Sequence, residues 1–246
     1  LKALIAVLYF SCRVTENKIW QICKDIGISI SEGQISNILT KAKHEELASE
    51  KQAIFKAGMD HSSFVQTDET GARHQGRNHY VHVICNPSFT CYFIKPDKKR
   101  NTIKSIFSLG EKDRLNIPLI TDDAKQYYGL SIIECLCWIH EIRHYIKINP
   151  YLGYYKKILE SFLHELYRFY ESMLLYKINP NGDSKIELKQ KFEELIFKNY
   201  GYSELDQRLT STWRNRDRLL QFLDHPEVPL HNNESEIAAR EPVIKR

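Results

Sequence analysis

Three runs rich in β-branched and aromatic residues constrain this chain more than any other feature. Phe64-Val65-Gln66-Thr67-Asp68-Glu69-Thr70, His79-Tyr80-Val81-His82-Val83-Ile84-Cys85 and Phe89-Thr90-Cys91-Tyr92-Phe93-Ile94 are separated by Gln75-Gly76-Arg77-Asn78 and Asn86-Pro87-Ser88. Such side chains suit a pleated, half-buried surface, and turn residues in the breaks send the chain back antiparallel. The expectation is a three-stranded antiparallel meander. A helix then fits Lys98 to Leu109, and Asn116-Ile117-Pro118-Leu119-Ile120-Thr121 reads as a short buried strand joining the same sheet after a crossover. A further strand, Ile132 to Cys137, leads into a helix from about Trp138 to Ile148.

Helices flank this sheet. Ile19, Ile22, Cys23 and Ile26 recur at helical spacing, Gly27 allows a left-handed turn, and Ser31 with Gln34 matches a capping box opening a helix through Ile35, Ile38 and Leu39. Thr15 to Leu47 therefore has a helix-turn-helix pattern. With Gln34, Ser36, Asn37 and Lys41 facing out, the second helix suits docking on DNA; the pattern equally suits an ordinary helical hairpin. A polar helix through Lys43, His44, Glu45 and Glu46 reads as a solvated connector ending near Gly58. After Pro150, Leu159, Phe162, Leu163, Leu166, Phe169 and Tyr170 share one helical face. Asn179-Pro180-Asn181-Gly182-Asp183 breaks that helix, Leu188, Phe192, Leu195 and Ile196 resume, and a third helix carries Leu205, Leu209, Trp213, Leu219, Leu220, Phe222 and Leu223. The expected organisation is a helical segment and connector over residues 1–60, a first core part over 61–150, a helical insertion over 151–224, and a final core helix within 225–246.

At 246 residues and 42% hydrophobic, the chain has enough apolar material for one substantial core with a smaller appended domain. No apolar run approaches the roughly 20 residues of a membrane span, and no secretory signal is evident. The net charge of +4 is compatible with nucleic acid without requiring it. The six cysteines include no CxxC pair, so the expectation is reduced, buried thiols in a cytoplasmic protein. The start at Leu1 and the stop at Lys245-Arg246 suggest a piece of a longer protein.

Asp68 stands within a strand and Asp122 where a buried strand ends; an ionised carboxylate in such a place needs a partner or a metal. Consecutive strand residues face opposite sides, so only one of Asp68 and Glu69 joins a common site, and spacing does not choose between them. Asp122 is preferred over Asp123 as the first residue out of its strand, with Asp123 read as a cap for a helix starting at Ala124. In the closing segment Asn232, Glu236 and Arg240 recur every four residues and share a helical face. Glu234 lies about 200° around from Glu236, so only one faces the sheet. Three such carboxylates suit two magnesium ions about 4 Å apart, which prefer oxygen ligands. A rival set, Cys135, Cys137, His140 and His144, has zinc-like spacing; the structural reading is apolar cysteines in a strand and histidines supporting a polar site. His74, His79 and His82 lack a coherent spacing and read as surface strand residues.

Three antiparallel strands, a helix, then a strand ending in acid is the order of a ribonuclease H-like domain. Asp68-Glu69-Thr70, Thr121-Asp122-Asp123-Ala124-Lys125-Gln126-Tyr127, Cys137-Trp138-Ile139-His140-Glu141-Ile142-Arg143, and Phe222 through Glu236 by way of Asp224-His225-Pro226-Glu227 resemble the insertion-sequence-66 family of bacterial DDE transposases. The resemblance runs through nearly the whole chain. It implies an α/β, ribonuclease H-like core with a mixed sheet, interrupted by a helical insertion, with Asp68, Asp122 and Glu236 as catalytic and metal-binding triad. It also implies Mg²⁺ or Mn²⁺ as cofactor, DNA ends and target as partners, and a homo-oligomer on DNA. Cys137 and His140 match the family's C-x-x-H element as support for the site, joined by Asn232 and Arg240. Ile237 stands where the family usually has arginine, and Asp123 where it often has glycine. Two functions follow as expectations: a transposase that cuts and joins DNA, or a truncated, inactive remnant that binds DNA or partner subunits as an inhibitor.

Overall fold

The β-rich runs form β1 (Val65–His74), β2 (Arg77–Asn86) and β3 (Phe89–Lys95), joined by β4 (Leu119–Thr121) and β5 (Glu134–Leu136) in one mixed sheet of order β3-β2-β1-β4-β5. The computed structural model describes residues 1–41, 44–74 and 76–244, without the side chains at 44–46, 74 and 244. β1 pairs antiparallel with β2, and β2 with β3; β1 pairs parallel with β4, and β4 with β5. Arg77 and Asn78, expected in the first turn, are strand residues that pair with His74 and Arg73; Gln75 lies outside the described residues. β4 is shorter than expected because Pro118 cannot donate to a ladder; its carbonyl instead accepts from Val65 at 3.0 Å.

The crossover helix α5, Arg100–Ile106, starts two residues later than expected, where Asp97 fixes its entry by accepting the Lys99 amide at 2.9 Å and the Thr102 hydroxyl. β5 leads into α6, Trp138–Ile146. Then come α7 (Gly153–Ile178), α8 (Gly182–Phe197) and α9 (Ser203–Arg214), followed by the short α10 (Arg216–Leu219) and a 3₁₀ turn, Gln221–Leu223. The expected third helix is thus three pieces, broken after Arg214. The largest apolar cluster lies among these helices and includes Trp138, Phe162, Phe169, Phe192 and Leu205. The last helix, α11 (Asn233–Ile244), lays Ala238 and Ala239 against Val83 and Cys85 of β2 and Tyr92 of β3.

The chain divides into two compact units, residues 1–60 and 61–243. In the first, α1 (Lys2–Ala6) and a π-helical turn (Val7–Ser11) precede α2 (Glu16–Asp25) and α3 (Glu32–Thr40) around buried Ile5, Ile19, Cys23 and Ile35. Ile22 and Ile26 are exposed, against expectation: Ile22 sits about 60° around the helix from Ile19, and Ile26 follows the last helical residue. Gly27 makes the turn with a φ of 79°. The capping box forms, with the Gln34 amide donating to Ser31 Oγ and the Ser31 amide to Gln34 Oε1, both at 3.1 Å. Ser31→Ala is expected to lower the stability of this unit by about 1 kcal/mol, measured by denaturant titration; an unchanged midpoint would show that α3 does not depend on its cap. The connector is α4, His44–His61, running past Gly58; Lys43 lies outside the described residues.

Two further expectations fail. Cys12 is exposed, although the other five cysteines are buried and all six are free thiols. His82 is buried, its Nε2 at 3.1 Å from the Asp97 carbonyl, because β2 is covered where His82 faces the entry of α5. His79 is exposed, and the His74 side chain lies outside the described residues. Among the described residues no helix is long and apolar enough to cross a membrane.

Candidate active site

Strand alternation decides between Asp68 and Glu69. Gln66 and Asp68 pair with Cys85 and Val83, the residues that carry α11, so they point toward that helix. Glu69 points to the other face, where it accepts from Gln126 Nε2 at 2.9 Å, Lys98 Nζ at 3.4 Å and the Tyr127 hydroxyl. Its carboxylate is thereby satisfied by neighbours from α5's side of the sheet. Asp68 is half-buried and has its own Oδ1 on the Glu69 amide at 2.8 Å.

Burial pushes the Asp68 carboxyl up from 3.8 to about 6, with the Glu69 amide opposing and the charges of Glu69, Asp122 and Glu236 adding to the rise. The three expected ligands therefore share one electrostatic neighbourhood although they come from β1, the end of β4 and α11. Asp122 is also raised, first by burial; the Ala124 amide, donating at 3.1 Å, opposes that, Glu69 adds to it, and His140 counters. Half-buried carboxylates are hard oxygen donors of the kind a divalent cation takes, and its charge would relieve such repulsion, but among the described residues Asp68, Asp122 and Glu236 do not bring one oxygen each within 4.8 Å of one another.

An acid whose pKa is higher folded than unfolded holds its proton more tightly in the fold. Its contribution to stability is present below about 4 and is lost as pH rises through about 6. Without divalent ions, Asp68→Asn is accordingly expected to be more stable than the native chain at pH 8, by about 1 kcal/mol after allowance for partial exposure, and no more stable at pH 4. Thermal unfolding in chelator at the two pH values measures this. A variant less stable at pH 8 would show that Asp68 is not strained by its surroundings.

Asp123 does not cap a helix at Ala124. The 3₁₀ turn there starts at Lys125, and Asp123 instead binds the Tyr128 hydroxyl at 2.7 Å, Asn215 Nδ2 at 2.8 Å and Arg218 Nη2 at 3.0 Å. It ties the end of β4 to the helices, whereas Asp122 is half-buried and its charge adds to the rise of the Asp68 carboxyl.

Asn232, just ahead of α11, and Ser235 and Ala239 on it are buried; Arg240 is exposed, so the expected Asn232–Glu236–Arg240 face is divided. The basic neighbours of Glu236 come from α6: Arg143 Nη1 lies 3.4 Å and His140 Nε2 3.5 Å from Glu236 Oε1. Arg143 was missed as a site residue, although its place one helical turn after His140 is the signal that marks it. Of the two glutamates it is Glu234 that bonds the sheet, accepting from buried Gln66 Nε2 at 3.1 Å, whereas the contacts of Glu236, the one expected there, are to α6. Glu234 stands in the first turn of α11, where it meets Gln66 of β1.

Cys137 precedes α6 and is buried. Burial raises its thiol, and the amides of His140, Asn232 and Ile139 aimed at the sulfur oppose that rise. The Asn232 carbonyl meanwhile accepts the Ser235 hydroxyl at 2.9 Å and the Glu236 amide at 3.1 Å. Asn232 thus connects Cys137 to the helix that carries Glu236. Of the zinc-like sequence set, only Cys137 and His140 come together, and with Glu236 they place one ligand atom each within 4.8 Å of one another. Cys135 lies in a separate cluster with Phe64, Ile120 and Val228, and His144 lies toward Arg208 and Glu141.

A mixed five-stranded sheet with an aspartate on its central strand, a second after the adjacent parallel strand and a glutamate on a covering helix is consistent with a ribonuclease H-like DDE fold. The family model described as Transposase IS66 family matches residues 1–246, and the chain belongs to that family. The chain is also 30% identical over 128 residues to the uncharacterized protein y4jO of Sinorhizobium fredii, a match covering 52% of this chain and 39% of that protein. The matched region thus spans well under half of that relative's length.

Proposed function

We propose that the chain is a DDE-type DNA transposase, or the part of one, in which Asp68, Asp122 and Glu236 hold divalent cations, two Mg²⁺ or Mn²⁺. The observation that carries this reading is the raised Asp68 carboxyl, lifted by burial and by the charges of Asp122 and Glu236, in a chain of the IS66 transposase family. When bound, the ions supply activation of the attacking oxygen and neutralisation of charge on the leaving one. The protein's own work is to place the ligands. Ala124 orients Asp122 through its amide, the Glu69 amide orients Asp68, and Arg143 and His140 restrain Glu236 beside α6. The DNA chemistry of this reading is hydrolysis at a transposon end, which leaves a 3′-hydroxyl, followed by attack of that hydroxyl on target DNA.

In the same proposal residues 61–150 and 225–246 make the ribonuclease H-like core and residues 151–224 are a helical insertion. The first unit docks on DNA as a helix-turn-helix, with exposed Asn37 of α3 and Lys41 at its end available for contact. Gln34 is less available there, because its amide oxygen serves the Ser31 cap. The proposed setting is the bacterial cytoplasm, and the proposed assembly a homo-oligomer on DNA. Ile237, at the position where the family usually carries arginine, is 59% exposed, and the reading of an inactive remnant that binds DNA or partner subunits stands as the alternative. Incubation with duplexes carrying the ends of the encoding element, with and without Mg²⁺, tests it. Metal-dependent nicking followed by strand joining supports the reading; DNA binding with no metal-dependent cleavage overturns it in favour of the remnant.

A further inference from the structure

Beside the oxygen-rich carboxylate cluster sits a second donor set of different chemistry. Cys137, His140 and Glu236 offer a sulfur, an imidazole nitrogen and a carboxylate oxygen, all within 4.8 Å of one another. Tetrahedral zinc bonds of ordinary length separate S, N and O ligands by roughly 3.4 to 3.6 Å. The 3.5 Å between His140 Nε2 and Glu236 Oε1 already has that value. Magnesium takes oxygen ligands, whereas thiolate and imidazole select zinc and its soft neighbours.

The surroundings suit a metal-bound thiolate. Burial raises the Cys137 thiol, and three backbone amides, from His140, Asn232 and Ile139, converge on its sulfur at the start of α6 and partly offset that rise, as a bound cation would further. His140 Nδ1 is buried with no hydrogen-bond partner among the described residues, so the imidazole is not committed to another acceptor through that atom. The group already near the site is the Arg143 guanidinium, 3.4 Å from both His140 Nε2 and Glu236 Oε1. Its side chain is 46% exposed, which leaves it an outward path to solvent when a cation arrives.

We infer that Cys137, His140 and Glu236 form a binding site for a zinc-class transition-metal ion, with three protein ligands and an open fourth position. Binding releases the Cys137 proton to solvent. Glu236 belongs to both donor sets, so an ion at Cys137 and His140 draws Glu236 away from Asp68 and Asp122; this consequence, unlike the site itself, rests on the transposase reading. Zinc then acts as an inhibitor of the magnesium-dependent reaction.

Cobalt(II) titration of the whole chain tests the site without any DNA reaction. The Cys12→Ser background removes the exposed thiol. The expected result is a thiolate-to-cobalt charge-transfer band with intense tetrahedral ligand-field bands, saturating at about one equivalent and displaced by Zn²⁺. Cys137→Ser abolishes the charge-transfer band. His140→Gln weakens cobalt binding by more than about tenfold, the lower range for losing even an outer partner of a ligand, and it decides the matter if Cys137→Ser fails to fold by circular dichroism. Asp68→Asn keeps the band, so a failed triad and a failed zinc-class site give different results. No thiolate band at one equivalent, or a band undiminished in folded Cys137→Ser or His140→Gln, overturns the inference.

Discussion

Asp68→Asn, Asp122→Asn and Glu236→Gln are each expected to lower Mg²⁺-dependent cleavage of transposon-end DNA by about a thousandfold or more, equivalent to about 4 kcal/mol of transition-state stabilisation. Each substitution keeps size and shape while removing one negative charge from the proposed triad, in which the charges of Asp122 and Glu236 act on Asp68. Asp123→Asn is the control. Its carboxylate is occupied by Tyr128, Asn215 and Arg218, so its loss is expected to weaken the tie between β4 and the helices while leaving cleavage within about tenfold of native. Single-turnover cleavage of a labelled duplex measures all four. Inactivation by Asp123→Asn with retention in Asp122→Asn would exchange the roles of the two neighbours.

The largest expected loss of stability follows Trp138→Ala, about 3 to 5 kcal/mol. The indole is 1% exposed and meets the rings of Phe169 and Phe192 edge-on, at centroid distances of 5.6 and 6.1 Å. Its Nε1 donates to the Leu219 carbonyl at 2.9 Å, an acceptor that truncation would leave without that donor inside the core. Trp138 opens α6 directly after Cys137, and its amide donates to the Leu230 carbonyl just ahead of α11. One residue thus joins the sheet edge, the helical block and the approach to Glu236. Trp138→Phe keeps most of the packing and loses the hydrogen bond, so it is expected to cost less than the alanine variant. Denaturant unfolding of both gives the difference; equal small losses would mean that the aromatic cluster does not bear on the stability of this unit.

The sheet was legible because its strands carry two independent signals, residue type and turn chemistry. β2 and β3 begin and end close to where Pro87 and the surrounding turn residues require. β4 and β5 were overestimated because an apolar run in sequence does not say how many of its amides find a partner, and Pro118 offers none. The capped helix α3 was readable for a local reason, since Ser31 and Gln34 lie three residues apart and satisfy each other. The break after Arg214 was not, because leucines continuing at helical spacing through Leu219 and Leu220 mask the stop signal of Arg214 followed by Asn215.

Within the site, residues on strands were easier to place than residues on α11. Alternation along β1 put Asp68 and Glu69 on opposite faces, and the partners of Glu69 and of Gln66, which shares the face of Asp68, agree. Helical spacing grouped Asn232, Glu236 and Arg240, but the buried line runs from Asn232, just ahead of α11, through Ser235 and Ala239, so Arg240 falls outside. The cations that approach Glu236 come instead from α6, more than ninety residues earlier, a proximity set by the packing of the core. Neither periodicity nor spacing carries that information. It explains why Arg143 was passed over and why the zinc-like set kept Cys137 and His140 while losing Cys135 and His144.

Binding of Mn²⁺, followed by the loss of free-ion signal in electron paramagnetic resonance, tests most directly whether the three carboxylates are one metal site. The native chain at pH 8 is expected to bind Mn²⁺, with affinity falling as pH drops through about 6, where Asp68 takes up its proton. Asp68→Asn, Asp122→Asn and Glu236→Gln should each weaken that binding by more than about tenfold. Mn²⁺ bound equally well by all three folded variants would contradict the account.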